Sequence, residues 1–152
     1  MAGSHYYKLK PFRSKKSSPV IFMDVACAVI FQDGRVLITL RRKSDHLGGF
    51  WEFPGGKRLA SESLGACLQR EIWEELAIRI EPRRLLKKID HLYPDRGVSL
   101  YFYECRLVEG RPWPRGSEEF RWVRPFELKH YPFPPADKGI LDYLNLFLLP
   151  RV

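Results

Sequence analysis

Cysteine is scarce in this sequence. Its 152 residues include three, Cys27, Cys67 and Cys105, with no close pair to chelate zinc and no even set for a disulfide framework. They read as reduced, buried thiols of a cytoplasmic protein. Long apolar runs are missing too. The longest stretches, 25–31 and 140–149, fall well short of the roughly 20 residues a membrane-crossing helix needs, and Asp142 interrupts the second. No membrane partner is expected. A basic run ahead of residues 20–23 imitates a secretion signal, but Asp24 breaks it and no small-residue cleavage site follows. Acids are absent from the first 19 positions, where Lys8, Lys10, Arg13, Lys15 and Lys16 supply five of the net +8 charges. That arm reads either as a nonspecific hold on polyphosphate or RNA, or as a solvated leader that keeps the chain soluble. Residues 1–5, Met-Ala-Gly-Ser-His, read as a cloning scar. Internal repeats and low-complexity linkers are lacking after residue 20, so 20–152 read as one domain behind an arm at 1–19.

What is present is core material. With 45% apolar and 14% aromatic residues, the chain can bury about two-thirds of the surface that its unfolded form exposes. Residues 25–31 and 35–40 are β-type runs joined through Asp33-Gly34, a dipeptide suited to a tight antiparallel hairpin. Residues 61–77 have helical spacing, with Leu64, Leu68, Ile72 and Leu76 as the apolar stripe and Ser61 available as the cap. Pro82 is expected to close that region after a short strand. Residues 98–105 and 120–123 predict further strands, and a last helix is expected over about 137–148, entered through Pro134-Pro135. Strands interleaved with two helices imply an α/β fold, a mixed sheet covered on both faces.

The helix at 61–77 carries acids. The sequence runs from Gly56 through Glu62, then seven residues, then Arg70-Glu71-Ile72-Trp73-Glu74-Glu75-Leu76-Ala77-Ile78. At about 100° per residue, Glu71 and Glu75 lie about 40° apart on the helix, and Glu74 about 60° from Glu71. Like charges in one sector lower stability unless cations occupy the site. Oxygen-only ligands select hard ions such as Mg²⁺ or Mn²⁺, and so point to phosphate chemistry. For a bare Glu-x-x-Glu-Glu a solvated acidic face is the better reading. The added spacing to Gly56 and Glu62 reduces a chance match to the order of one in a hundred thousand.

This stretch resembles the Nudix box: a glycine, five residues, a glutamate, seven residues, then Arg-Glu-aliphatic-x-Glu-Glu-x-Gly-aliphatic. Every specified position matches except Ala77, which stands where the family has glycine. The resemblance covers most of residues 23–149 and is to the MutT-like branch, nucleoside triphosphate pyrophosphohydrolases that remove damaged nucleotides such as 8-oxo-dGTP. Residues 51–57 are similar to the strand and loop before the box, which implies Phe53 as a substrate-binding residue and the Gly55 carbonyl as a metal ligand. Residues 93–97 are similar to a loop near the nucleotide, which implies a substrate role for Arg96. Arg42 matches an arginine that reaches the substrate. The bland readings are a Pro-Asp turn and a solvated Arg41-Arg42 pair. Asp137 falls at a base-reading position where the best-known MutT pattern has asparagine. An ionised carboxylate can only accept. Asp137 therefore is protonated, or reads a base edge bearing donors such as an exocyclic amine, or is simply the helix cap. Of Glu118 and Glu119, the alignment favours Glu119 as a further glutamate turned toward the metals.

The resemblance implies a Nudix α/β/α sandwich and Mg²⁺-dependent hydrolysis of a (deoxy)nucleoside triphosphate to monophosphate and pyrophosphate, by water attack at the β-phosphorus. The resemblance implies Mn²⁺ as a substitute for Mg²⁺. Glu71, Glu74 and Glu75 are then the metal ligands, Arg70 and Glu62 a supporting pair, and Glu71 or Glu119 the acceptor of the water proton. A monomer or dimer acting on a small nucleotide is expected. The alternatives are an RNA 5′-end pyrophosphohydrolase aided by the basic arm, and a Nudix-fold binding module without turnover.

Overall fold

The computed structural model describes residues 21–45 and 47–147. The basic arm and the last residue of the expected final helix lie outside the described residues. In chain order the elements are β1 (Phe22–Gln32), β2 (Arg35–Leu40), β3 (Trp51–Glu52), β4 (Gly55–Lys57), α1 (Leu64–Leu76), β5 (Arg79–Leu92), β6 (Gly97–Glu109), β7 (Glu119–Val123) and α2 (Lys138–Phe147). Two 3-10 turns, Pro125–His130 and Pro135–Asp137, lead into α2.

The strands form one mixed sheet in the order β3-β2-β1-β6-β5, with β4 also on β1 and β7 also on β2. β1 runs parallel to β6 and antiparallel to β2 and β4. Strand alternation then divides the core. Val25, Cys27 and Val29 of β1 point to the side holding Ile140 and Leu144 of α2. Ala26, Ala28 and Ile30 point to the side holding Leu68, Ile72 and Leu76 of α1. Two alanines on β1 keep that face shallow, and the acid-bearing helix can lie close on it. The result is the expected helix, sheet and helix in layers, as in an α/β/α sandwich.

Local chemistry explains most of the element ends. Asp33 and Gly34 both adopt left-handed angles, φ 51° and 74°, which turns β1 onto β2 with Gln32 opposite Arg35. Three expectations need correcting. The cap of α1 is Ser63, whose hydroxyl accepts from the Ala66 amide at 3.1 Å. Ser61 is unavailable because residues 59–62 are already folded into a turn by the Glu62 amide on the Leu59 carbonyl and the Glu62 carboxylate on the Leu59 amide. Pro82 does not end its strand. β5 continues to Leu92 with a register shift between Pro82 and Arg84, and an edge strand tolerates a missing N–H on its open side. The final helix begins at Lys138, one residue later than expected, because 135–137 wind as a 3-10 turn.

Candidate active site

The site starts from β4. Its three residues pair with β1 as Val25↔Lys57, Ala26↔Gly56 and Cys27↔Gly55, and the strand lies against α1. Space there is so limited that a Cβ on Gly55 would collide with the Ala26 carbonyl, and one on Gly56 with the Glu71 carboxyl group. Only glycine brings backbone this near to a carboxylate.

On α1, Arg70 organises the acids. Its guanidinium grips Glu62 with a two-point fork, Nε to Oε2 at 3.0 Å and Nη2 to Oε1 at 2.6 Å. The same Nη2 donates to the Lys57 carbonyl at 3.1 Å, and Nη1 donates to Glu71 at 2.8 Å and Glu74 at 3.5 Å. Hydrogen bonding to Arg70 holds the Glu62 carboxyl down at about 2, and the same bonds push Arg70 further up. Glu71 behaves oppositely. It is 1% exposed, and burial raises its pKa more than Arg70 lowers it. Glu75 is held well above the ordinary carboxylate range by burial first and then by Glu52 and Glu71, against the pull of an amide hydrogen bond from Gly55. Glu74 is half exposed.

Among the described residues, no three His, Cys, Asp or Glu side chains converge as a ready-made metal site. Arg70 accounts for this, since it draws Glu62, Glu71 and Glu74 toward itself. The donor set still fits a divalent ion. It consists of hard oxygens crowded into one sector of α1, and Glu75 is raised first by burial and then by the fields of Glu52 and Glu71, which a cation would offset.

Glu52 and Asp137 form a second pair of acids, coupled to each other. Glu52 of β3 receives Nη1 of Arg41 at 3.0 Å, and Arg41 is 2% exposed. Burial nevertheless lifts Glu52 to about 7. Asp137 is buried, and burial followed by the field of Glu52 raises it to about 8. Phe53 is buried between Phe102, edge-on at 6.1 Å, and Phe133, tilted at 5.3 Å. Cys27 feels Asp137, Glu52 and Glu75 and is pushed up chiefly by burial.

The remaining expected residues are placed less simply. Arg96 closes the 93–96 turn, with its carbonyl accepting from the Tyr93 amide at 2.8 Å, and its side chain reaches Asp95 at 3.4 Å. It also lowers the pKa of Lys57 of β4, second to burial. Arg42 donates to the Arg115 carbonyl at 2.6 Å, which ties it to the loop crossing the end of α1. Glu119 is not brought to the acidic helix. Its carboxylate pairs with Arg121 at 3.0 Å, and Arg121 stacks on Trp51 and Tyr131 of the α2 side. Phe120 and Trp122, of opposite parity on β7, pack with α1. Ala77 caps α1 in the left-handed region at φ 55°, its amide bonded to the Trp73 carbonyl.

Sequence reasoning gave Glu52 and Lys57 no role of their own and read Arg41 as solvated, whereas it is buried. Each was visible as a residue beside a recognised motif, but its partner lies 11 to 39 positions away in the chain: Arg41 for Glu52 and Arg96 for Lys57.

Comparison with known proteins agrees with this geometry. A family model described as NUDIX domain matches residues 25–143. The 8-oxo-dGTP diphosphatase of Escherichia coli K12 is 29% identical over 124 residues, covering 81% of this chain and 96% of that one. The CTP pyrophosphohydrolase of the same organism is 29% identical over 120 residues, covering 79% and 89%. Among solved structures, that of the E. coli ORF135 protein superposes with a TM-score of 0.76 at 27% identity, covering 87% of this chain and 94% of that one.

Proposed function

The chain belongs to the Nudix hydrolase family, and from that premise we propose that it cleaves a (deoxy)nucleoside triphosphate to the monophosphate and pyrophosphate in a Mg²⁺-dependent reaction. The observation that carries the reading is the crowding of Glu71, Glu74 and Glu75 on one turn of α1, with Glu75 held well above its ordinary range by neighbouring carboxylates as well as burial. A binding module without turnover could discard that repulsion.

Mg²⁺ bound by Glu71, Glu74, Glu75 and the Gly55 carbonyl would neutralise the polyphosphate and lower the pKa of a coordinated water. The chain supplies the rest. Arg70 and Glu62 hold the box loop against α1, orienting the carboxylates through the guanidinium fork. Lys57 and Arg96 present paired positive charge beside β4, suited to a phosphate oxygen. Glu119 reaches the reacting water only by leaving Arg121, and Glu71 takes its proton only by leaving Arg70, so the acceptor is one of these two.

Base recognition falls to Asp137, with Phe53 in the wall. A carboxyl held at about 8 is mostly neutral at pH 7 and can both donate and accept, as an amide does. It can therefore serve where MutT-like enzymes use asparagine, and an oxidised guanine is an acceptable substrate. The alternative, ionised Asp137 accepting from an exocyclic amine as on cytosine, is opposed by burial and by the neighbouring Glu52, both of which favour the neutral carboxyl.

The test is a panel of 8-oxo-dGTP, dGTP, CTP, ADP-ribose, a dinucleoside polyphosphate and triphosphorylated RNA with Mg²⁺, run in ¹⁸O-water. Monophosphate plus ¹⁸O-labelled pyrophosphate from a triphosphate is the expected result. Label in the monophosphate, or turnover confined to the other substrates, contradicts the reading.

A further inference from the structure

The turn between β4 and α1 is fastened on two sides. Arg70 holds it to α1 through Glu62 and the Lys57 carbonyl. Arg58 holds it to β1, and none of the roles assigned above uses that residue. Its amide donates to the Asp24 carbonyl at 3.0 Å. Its guanidinium donates twice to Asp24 Oδ2, from Nε at 3.1 Å and Nη2 at 2.9 Å, while Nη1 reaches the carbonyls of Glu62 at 3.3 Å and Leu59 at 3.5 Å.

The β1–β4 ladder runs only from Cys27↔Gly55 to Val25↔Lys57. Asp24 with Arg58 is its next rung, made by side chains as well as backbone. Both side chains are about one-third exposed, at 27% and 32%, so the pair adds little to global stability. What it fixes is the register of β4. The Gly55 amide bonds to Glu75, and Gly56 lies against the Glu71 carboxyl with no space for a Cβ. Slippage of the turn would move both glycines relative to both acids.

We propose that Arg58 and Asp24 are positioning residues that hold Gly55 and Gly56 against the carboxylates of α1, and so set the affinity of the acidic helix for a divalent cation. The inference rests on the hydrolase reading only in taking a cation to bind there.

Mn²⁺ binding to the full chain, followed by the paramagnetic resonance of the free ion, tests it. Groups that orient metal ligands are typically worth about 10- to 100-fold in affinity. Arg58→Gln and Asp24→Asn should each weaken Mn²⁺ about tenfold, and Arg58→Lys less, because it keeps a charged bond to Asp24. Half-saturating Mg²⁺ for turnover should rise by the same factor while kcat at saturating Mg²⁺ stays within about twofold, and the metal-free melting temperature should shift by only about 3 °C or less. Unchanged Mn²⁺ affinity in both variants overturns the inference. So does an equal loss in Arg58→Lys and Arg58→Gln with a large drop in melting temperature, which would make the pair a folding contact. Glu74→Gln separates the two readings: if it binds Mn²⁺ as tightly as the parent chain, the hydrolase reading fails, whereas loss in Glu74→Gln alone leaves that reading standing and removes only this one.

Discussion

Asp137 shows how far burial changes what a residue can do. As an ordinary carboxylate it would repel a carbonyl oxygen on a base, yet in this fold its pKa is raised to about 8 by burial and by Glu52. The sign follows directly. Below pH 8 the carboxyl is protonated and donates, and above pH 8 it is ionised and only accepts. In the parent chain the preference for 8-oxo-dGTP over CTP, measured as the ratio of kcat/KM values, should therefore fall as pH rises from 7 to 9. Asp137→Asn should hold that ratio nearly constant, and a parallel fall in the variant would locate the titration elsewhere. Stability carries the same sign. A carboxyl whose folded pKa is raised loses its contribution as pH climbs from the unfolded value toward 8, so Asp137→Asn should gain most over the parent at alkaline pH. The sequence identified Asp137 but not its charge state, which depends on Glu52, a residue 85 positions earlier.

The elements were legible to the extent that their causes were local. Asp33-Gly34 carries its own turn geometry, and the stripe on α1 comes from residues three and four apart. The acids were readable for the same reason, since Glu71, Glu74 and Glu75 share one helix. The Arg70–Glu62 contact followed from the motif that spaces them. Pairings that cross the fold were not readable: Arg41 with Glu52, Lys57 with Arg96, Arg58 with Asp24. Ser63 replaces Ser61 as cap because the four-residue turn at 59–62 claims the earlier serine. Ala77 belongs to this scale as well. It ends α1 at φ 55°, an angle that costs an L-residue roughly 1–2 kcal/mol and glycine very little. Ala77→Gly should raise unfolding stability by about 1 kcal/mol, measured by chemical denaturation with an unchanged m-value. A loss of stability would mean that the methyl group packs more strongly than the angle costs.

At the scale of the whole molecule, the sheet is a partition. One face carries α1 and the acids that suit a cation, and the other carries α2 and Phe53. β1 and β4 join the two, which is why Cys27 senses carboxylates from both groups. No helix of the described residues is long and apolar enough to cross a membrane. The arm at 1–19, with its five cations, lies outside the described residues, and its contact with nucleic acid stays an expectation. Because the helix acids repel one another when empty, a divalent ion should stabilise the entire fold. Ligand at 100 times its Kd adds about 2.7 kcal/mol, so the melting temperature should rise by several degrees in saturating Mg²⁺ and not in matched NaCl. Equal shifts in the two salts would reduce the effect to ionic strength.

The decisive measurement is Mg²⁺-dependent release of pyrophosphate from a preferred triphosphate by the parent chain and by Glu74→Gln. Release that depends on Mg²⁺ in the parent and is abolished in the variant is the predicted result. Full activity in the variant would contradict the assignment of the chemistry to the acidic turn of α1.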